Sequence, residues 1–346
     1  MIILGIESSC DDTSIAIVKN GEELLSLVTS SQDEIHAKFG GVVPEIASRN
    51  HLLKLPVVFD SAIEKAGISI DDITGVAATC GPGLLGSLLV GLMAAKSFAM
   101  ARDLPFIGIN HLEAHLFAAR LKYGGVEEIP EPPFIGLLVS GGHTSLALVD
   151  ENYNFEILGS TRDDAAGEVF DKIGRIMGLG YPGGKAVAQA AINGNPDAIK
   201  LPRALHHSKK IEFSFSGLKT AAARAWNSGD YSINDMCASL EAAIIDSLVK
   251  KTALAVRETG ITKVVMAGGV CANQNLRKSV KAAKAMKNVQ VYTPHPLLCT
   301  DNGAMVAALG SFRLANGERS PLSLNAYPSL PKVMKALKEE TISESK

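Results

Sequence analysis

His111 and His115 stand four apart in NHLEAH, and Asp301 lies in CTDNG. On a helix that spacing projects both imidazoles from one face, where they can share a metal ion. Two histidines and one carboxylate with open positions suit iron or zinc. Glu113 points elsewhere and makes a poor third ligand. The zinc-protease pattern needs Glu directly after the first His, and Leu112 stands there; the HxxEH inversion is also absent. The plainer reading keeps one histidine as a helix start, the other as a packing residue and Asp301 as an N-cap. Residues 8–12 form a polar turn carrying Asp11 and Asp12 between two strands. Such a turn can position Mg²⁺ or a phosphate-facing water, or can simply be a satisfied hairpin turn. Gly141 and Gly142 form a second turn, with bare N–H groups suited to phosphate. Gly268 and Gly269, between a strand and a helix, offer a third approach. Three such loops in one α/β chain point to nucleotide binding. Lys200, Arg203, Lys209, Lys210, Lys219 and Arg224, interleaved with Phe213, Phe215 and Trp226, fit either RNA contact or a solvated face.

The elements that hold these loops are duplicated. GIESSCDDTSIAIV at residues 5–18 aligns without a gap to GLLVSGGHTSLALV at residues 136–149, an offset of 131 with six identities in fourteen positions. A further strand-like run follows each copy, at residues 23–30 and 154–161. Two α/β lobes with a nucleotide cleft between them are the expectation. The length of 346 residues fits two domains. The first lobe is expected over residues 1–130, completed by a C-terminal helical segment at 301–330. The second is expected over 131–300, with a helical insertion at about 180–226, and residues 331–346 as a frayed, charged tail. Helices are expected at residues 47–65 (kinked or split at Pro56), 111–122, 165–177, 233–258 and 303–314. A net charge of -2 excludes a strong polyanion binder by bulk charge, so any nucleic acid needs a local basic surface. Five dispersed cysteines without CxxC pairs argue for a reducing, cytoplasmic setting and against a disulfide frame. The apolar-leaning run at residues 73–95 holds five glycines and a proline and reads as strand, loop and helix rather than a membrane span. MIILGIESS lacks the features of a signal peptide.

IESSCDDT, FGGVVPEIASRNH, NHLEAH, LVSGGHT, GEVFDK, YPGG, FSFSGLK, GGVCAN and TDNG follow one another over residues 2–314. In this order they resemble the tRNA N6-adenosine threonylcarbamoyltransferases of the bacterial TsaD type, formerly labelled O-sialoglycoprotein endopeptidases. The resemblance implies a duplicated actin-like ATPase (ribonuclease H-like) fold. It also implies transfer of a threonylcarbamoyl group from threonylcarbamoyl-adenylate to tRNA. His111, His115 and Asp301 match the family's metal ligands. Leu138, Val139, Ser140, Gly141 and Gly142 match its donor-binding loop; Asp171, Gly184 and Asn273 match further nucleotide contacts. Ser9 and Asp11 match the turn at the reacting end, and His36, Glu45 and Arg49 match a first-lobe insertion. After YPGG the family often carries a carboxylate, where this chain has Lys185 and Ala188. The implied cofactor is one divalent metal, iron or zinc, with Mg²⁺ accompanying a nucleotide. The implied partners are tRNA, a paralogous actin-like protein and a small ATPase (TsaB and TsaE type). Three rivals are a glycoprotein-cleaving metalloprotease, an actin-like small-molecule kinase and a non-catalytic scaffold. Leu112 counts against the first, NHLEAH with TDNG against the second, and the polar loops against the third.

Overall fold

Apolar runs without alternation become strands buried on both faces. The computed structural model describes residues 1–343. Its first sheet contains β1 (Ile2–Glu7), β2 (Thr13–Lys19), β3 (Glu23–Ser30), β4 (Gly75–Gly81) and β5 (Phe106–Asn110), in the order β3-β2-β1-β4-β5. β1 runs antiparallel to β2 and parallel to β4. The helices of this stretch are α1 (Asp33–Ala37), α2 (Pro44–Ala66), α3 (Leu85–Ala101) and α4 (His111–Phe117). α2 starts earlier than the periodicity predicts because Pro44 opens it, where the missing N–H costs nothing. It is not split at Pro56, and it stops at Gly67 in the left-handed conformation. α4 ends at Phe117, short of the expected residue 122, and a 3₁₀ turn over Ala118–Arg120 takes over.

The second sheet contains β6 (Phe134–Val139), β7 (Thr144–Val149), β8 (Phe155–Ser160), β9 (Lys263–Ala267) and β10 (Gln290–Tyr292), ordered β10-β9-β6-β7-β8. The duplicated hairpin keeps its register: Gly5 faces Ala16 in one copy, and Gly136 faces Ala147 in the other. Helices α5 (Ala166–Ile176), α6 (Gly183–Ala191), α7 (Ser216–Asn227), α8 (Ile233–Thr259) and α9 (Gln274–Ala282) accompany it. Phe170, Phe213, Phe215 and Ile244 lie in the core of this unit. Two of the aromatics interleaved with the basic run are therefore core residues. Residues 192–215, between α6 and α7, carry neither helix nor strand.

From Pro294 the chain rejoins the first unit, which also holds Met1–Ile129; the second is Pro130–Thr293. α10 (Gly303–Ala315) crosses β1 and β2 at backbone distance. A Cβ on Gly5 would lie 2.3 Å from the Gly303 carbonyl oxygen, and one on Gly303 would lie 2.7 Å from the Gly5 oxygen. The segment expected as a tail forms α11 (Leu330–Glu340), because buried Val333, flanked by Leu330 and Leu337, packs into the first core. Ile342–Ser343 then pairs with Glu318–Arg319, and residues 344–346 of the expected tail lie outside the described residues.

Candidate functional site

α4 leaves β5 with Asn110 as its N-cap, the side chain accepting from Leu112 N–H at 3.0 Å. Every residue from His111 to Phe117 is buried, so the histidines project into the protein. His111 Nε2 lies 3.6 Å and His115 Nε2 3.2 Å from Asp301 Oδ1. Ligand atoms from all three residues fall within 4.8 Å of one another. Asp301 does not cap α10. Asn302 does, accepting from Met305 N–H at 2.9 Å, which leaves the Asp301 carboxylate to the histidines. Glu113 turns away to pair with Arg313 of α10, which also bonds Glu318. That ion network ties α4, bearing the two histidines, to the helix that follows Asp301.

The residues fit a metal ion. Neither ring nitrogen of buried His115 has a hydrogen-bond partner, which is costly unless the ring serves as a ligand. Glu7, at the end of β1, adds a feature the sequence reading missed. Its Oε2 lies 3.0 Å from His111 Nδ1 and accepts from the Thr79 hydroxyl at 2.6 Å. A carboxylate on Nδ1–H leaves Nε2 free for a metal, as in carboxylate–histidine–metal sites. Burial depresses the His111 imidazolium, but Glu7 and Asp301 outweigh it and push the group up to about 9. Burial likewise raises Glu7, yet the His111 charge and hydrogen bond hold it below the ordinary carboxylate range. The same excess of negative charge favours a bound cation. The Asp301 side chain is 25% exposed against 6% and 2% for the two histidines, so the site opens on the carboxylate side. A signal for Glu7 existed: Leu138 occupies its position in the second copy.

The turn after β1 is held on several sides. Its Ser8 hydroxyl donates to Ser87 O and accepts from Gly91 N–H. Ser9 N–H donates to Glu7 Oε1 at 2.5 Å, and the buried Ser9 hydroxyl lies 3.2 Å from His111 Nδ1. His51 of α2 spans Cys10 O (2.9 Å) and the Thr13 hydroxyl (2.7 Å), which fixes Nε2–H as donor and Nδ1 as acceptor. Asp11 is raised from the ordinary carboxylate value, chiefly by burial and then by the charges of Asp301 and Asp33. Asp12 is pushed up to about 8 by burial, Asp301 and Asp11. In the first-lobe insertion, His36 is buried and accepts from Val43 N–H, whereas Glu45 and Arg49 pair with each other at the surface.

In the second unit, Leu138 and Val139 are buried in β6, so only their backbone is available to a ligand. Ser140 and His143 close the turn by N–H bonds at 2.8 and 3.1 Å, and Gly141 and Gly142 face open space. α5 begins against this turn, with a Gly167 Cβ position only 2.4 Å from Ser140 O. Asp171 Oδ1 accepts from Gly183 and Gly184 N–H at 2.8 and 3.3 Å. Asn273 caps α9 and donates to buried Glu241 at 2.5 Å, and Asn275 donates to the same carboxylate at 2.7 Å. Gly268, at φ +92°, brings the β9 end within 2.4 Å (Cβ position) of Val139 O. The turn of residues 140–142 and the Gly268 turn thus meet at one edge, where β6 and β9 end. Glu241, which accepts from both Asn273 and Asn275, was the residue missed on this side.

Comparison with known proteins identifies the family and the fold. Residues 23–308 match the family described as "TsaD: tRNA N6-adenosine threonylcarbamoyltransferase". The tRNA N6-adenosine threonylcarbamoyltransferase of Pelobacter propionicus is 50% identical over 330 residues, covering 94% of this chain and 96% of its own. That of Geotalea uraniireducens is 46% identical over 336 residues, with 96% of both chains covered. Among solved structures, full-length HypF in its phosphate- and nucleotide-bound form superposes with a TM-score of 0.58 at 15% identity, over 90% of this chain and 55% of that one. The activator of the 2-hydroxyisocaproyl-CoA dehydratase from Clostridium difficile, with bound ADPNP, gives 0.53 at 18% identity, over 91% and 96%. These two share the actin-like ATPase fold with this chain.

Proposed function

The chain belongs to the tRNA N6-adenosine threonylcarbamoyltransferase family, and on that premise we propose how its residues divide the reaction. The activity is formation of N6-threonylcarbamoyladenosine in tRNA. The donor is threonylcarbamoyl-adenylate, a mixed anhydride whose AMP is already a good leaving group. The acceptor is the adenosine 3′-adjacent to the anticodon in tRNAs reading codons that begin with A. The N6 amine attacks the carbamoyl carbon, the new C–N bond forms, the C–O bond to AMP breaks, and the amine gives up one proton. Holding the two reactants together supplies most of the rate.

Gly141, Gly142 and the backbone of Leu138, Val139 and Ser140 would receive the adenylate phosphate by N–H groups at the start of α5. Asp171, Gly184 and Asn273 would act around the nucleoside. Their side-chain and backbone hydrogen bonds set the ends of α6 and α9, so their share is largely to shape the site. Asp11 is our candidate for accepting or steering the amine proton, and its raised pKa suits that task. Ser9 would work through His111, which its hydroxyl touches. His111, His115 and Asp301 would hold one iron or zinc ion, and Mg²⁺ would accompany the nucleotide phosphate. Such an ion supplies Lewis-acid polarisation and a fixed anchor for donor oxygens.

The observation that carries this reading is the buried His111–His115–Asp301 group beside the Asp11 turn, in a chain matching the family over residues 23–308. A protein partner is supported by an apolar surface on two helices, with Leu52, Leu53 and Val57 exposed on α2 and Leu89 and Met93 on α3. A paralogous actin-like protein (TsaB type) would dock there, and a small ATPase (TsaE type) would complete the system. The test is transfer of labelled threonylcarbamate from synthetic donor to tRNA, with and without cell extract. Label in tRNA with one AMP released per transfer is expected. Label in neither condition, or cleavage of a glycoprotein instead, would overturn the assignment.

A further inference from the structure

Lys251 is a buried lysine whose ammonium pairs with no carboxylate among the described residues. The residue is 3% exposed, and its Nζ donates to Ser208 O and Lys210 O, each at 2.8 Å. Burial depresses its ammonium, and the two carbonyls supply the hydrogen bonds a buried donor needs. What it secures is the loop between α6 and α7. Residues 198–211 there contain Lys200, Arg203, Lys209 and Lys210, two histidines and no carboxylate. Arg203 is paired with Asp246, whose Oδ2 lies 3.0 and 2.8 Å from two of its nitrogens, and so adds no free charge. Lys209 and Lys210 are exposed, and among the described residues no carboxylate pairs with them or with Lys250 on α8. The His206 imidazolium is depressed chiefly by burial and then by the charges of Lys250 and His207, with Asp246 acting against them.

We infer that this loop, pinned from beneath by Lys251, is a surface that contacts the phosphate backbone of the tRNA through Lys209, Lys210 and Lys250. The inference rests on the transferase reading, which makes tRNA the polyanion in question. A net charge of -2 gives the chain no general attraction for RNA, so a local cluster must supply it. A loop without helix or strand would blur such a cluster; two carbonyls fixed on one buried ammonium hold adjacent lysines outward together. Phosphate contacts position RNA without reading sequence, so the effect falls on affinity and salt dependence rather than on chemistry.

The test measures KM for tRNA against salt in the complete transferase mixture, full chain and extract included, using wild type and K209Q/K210Q. Each lost phosphate contact removes about 0.7–0.9 from the slope of log affinity against log salt. The double variant is therefore expected to flatten the slope by about 1.4–1.8, with kcat and the KM for donor unchanged. K209E/K210E should raise the KM for tRNA further, and K251M should raise it while both surface lysines remain. An unchanged slope in K209Q/K210Q, while wild type still labels tRNA, overturns the inference and leaves the transferase reading intact. A change confined to affinity for the partner proteins assigns the loop to a protein and overturns it too. Failure of wild type to label tRNA at all would instead sink the reading beneath it.

Discussion

Glu7 is sealed from water and tied to His111, whereas Asp11, four residues on, keeps part of its surface. Their tasks separate accordingly. Glu7→Gln keeps the shape of the side chain but weakens its hold on Nδ1–H, so metal affinity should fall about 10–100-fold. Titration of the metal-stripped protein against a chelator reads this directly, and unchanged affinity would remove Glu7 from the metal centre. Asp11→Asn should cut transfer roughly 100-fold or more, the usual range for a lost general base. Calorimetry with a stable donor analogue should then find binding within about twofold of wild type; parallel loss of binding would reduce Asp11 to a turn residue. His51 carries the pH prediction. Burial depresses its imidazolium in the fold, so the neutral ring's contribution is complete above its unfolded value of about 6.5. It is lost as pH falls through the window from there down to the folded value. Thermal melts between pH 7 and 5 should show wild type losing more stability than His51→Gln, with identical acid slopes excluding His51 as the cause.

At the scale of elements, the decisive contact is α10 on β1. Gly303 N–H donates to the Ser14 hydroxyl at 3.0 Å, and no side chain separates this helix end from Gly5. Gly303→Ala must push the helix outward at a cost of roughly 1–3 kcal/mol. Because Asp301 lies two residues upstream, metal affinity should drop with the melting temperature; a stable variant that still loads metal normally would show the contact to be slack. The duplication that frames this contact was legible because register follows side-chain alternation: Gly5, Ala16, Gly136 and Ala147 occupy matched places in sequence and in sheet. The pairing of His111 and His115 on one helix face was legible for a similar reason, since spacing of four on a helix is geometry. Asp301 stayed ambiguous because two capping residue types stand side by side, and only the fold gives the cap to Asn302. The end of α4 was misjudged because Ala118 and Ala119 favour helix while the tertiary setting turns the chain. Asp171 and Asn273 could be matched to a family, but no local pattern announced that backbone N–H groups would occupy their side chains.

The whole molecule presents an apolar helical face on the first unit that its own core does not cover. Leu53 is 72% and Val57 63% exposed. L53E/V57E should abolish association with an actin-like partner in a pull-down or by analytical centrifugation, while donor binding and melting temperature stay near wild type. Retained association would move the partner elsewhere. No described helix is long and apolar enough to cross a membrane. The first unit is also discontinuous along the chain, since Pro130–Thr293 is interposed before α10 arrives. That order has a consequence in time. A ribosome working at about 5–20 residues per second completes His115 roughly ten to forty seconds before it reaches Asp301. During that interval neither Asp301 nor α10, the helix that packs on β1 and β2, has yet been made. All three groups that could hold a metal ion are thus present together only when nearly the whole polypeptide has been made.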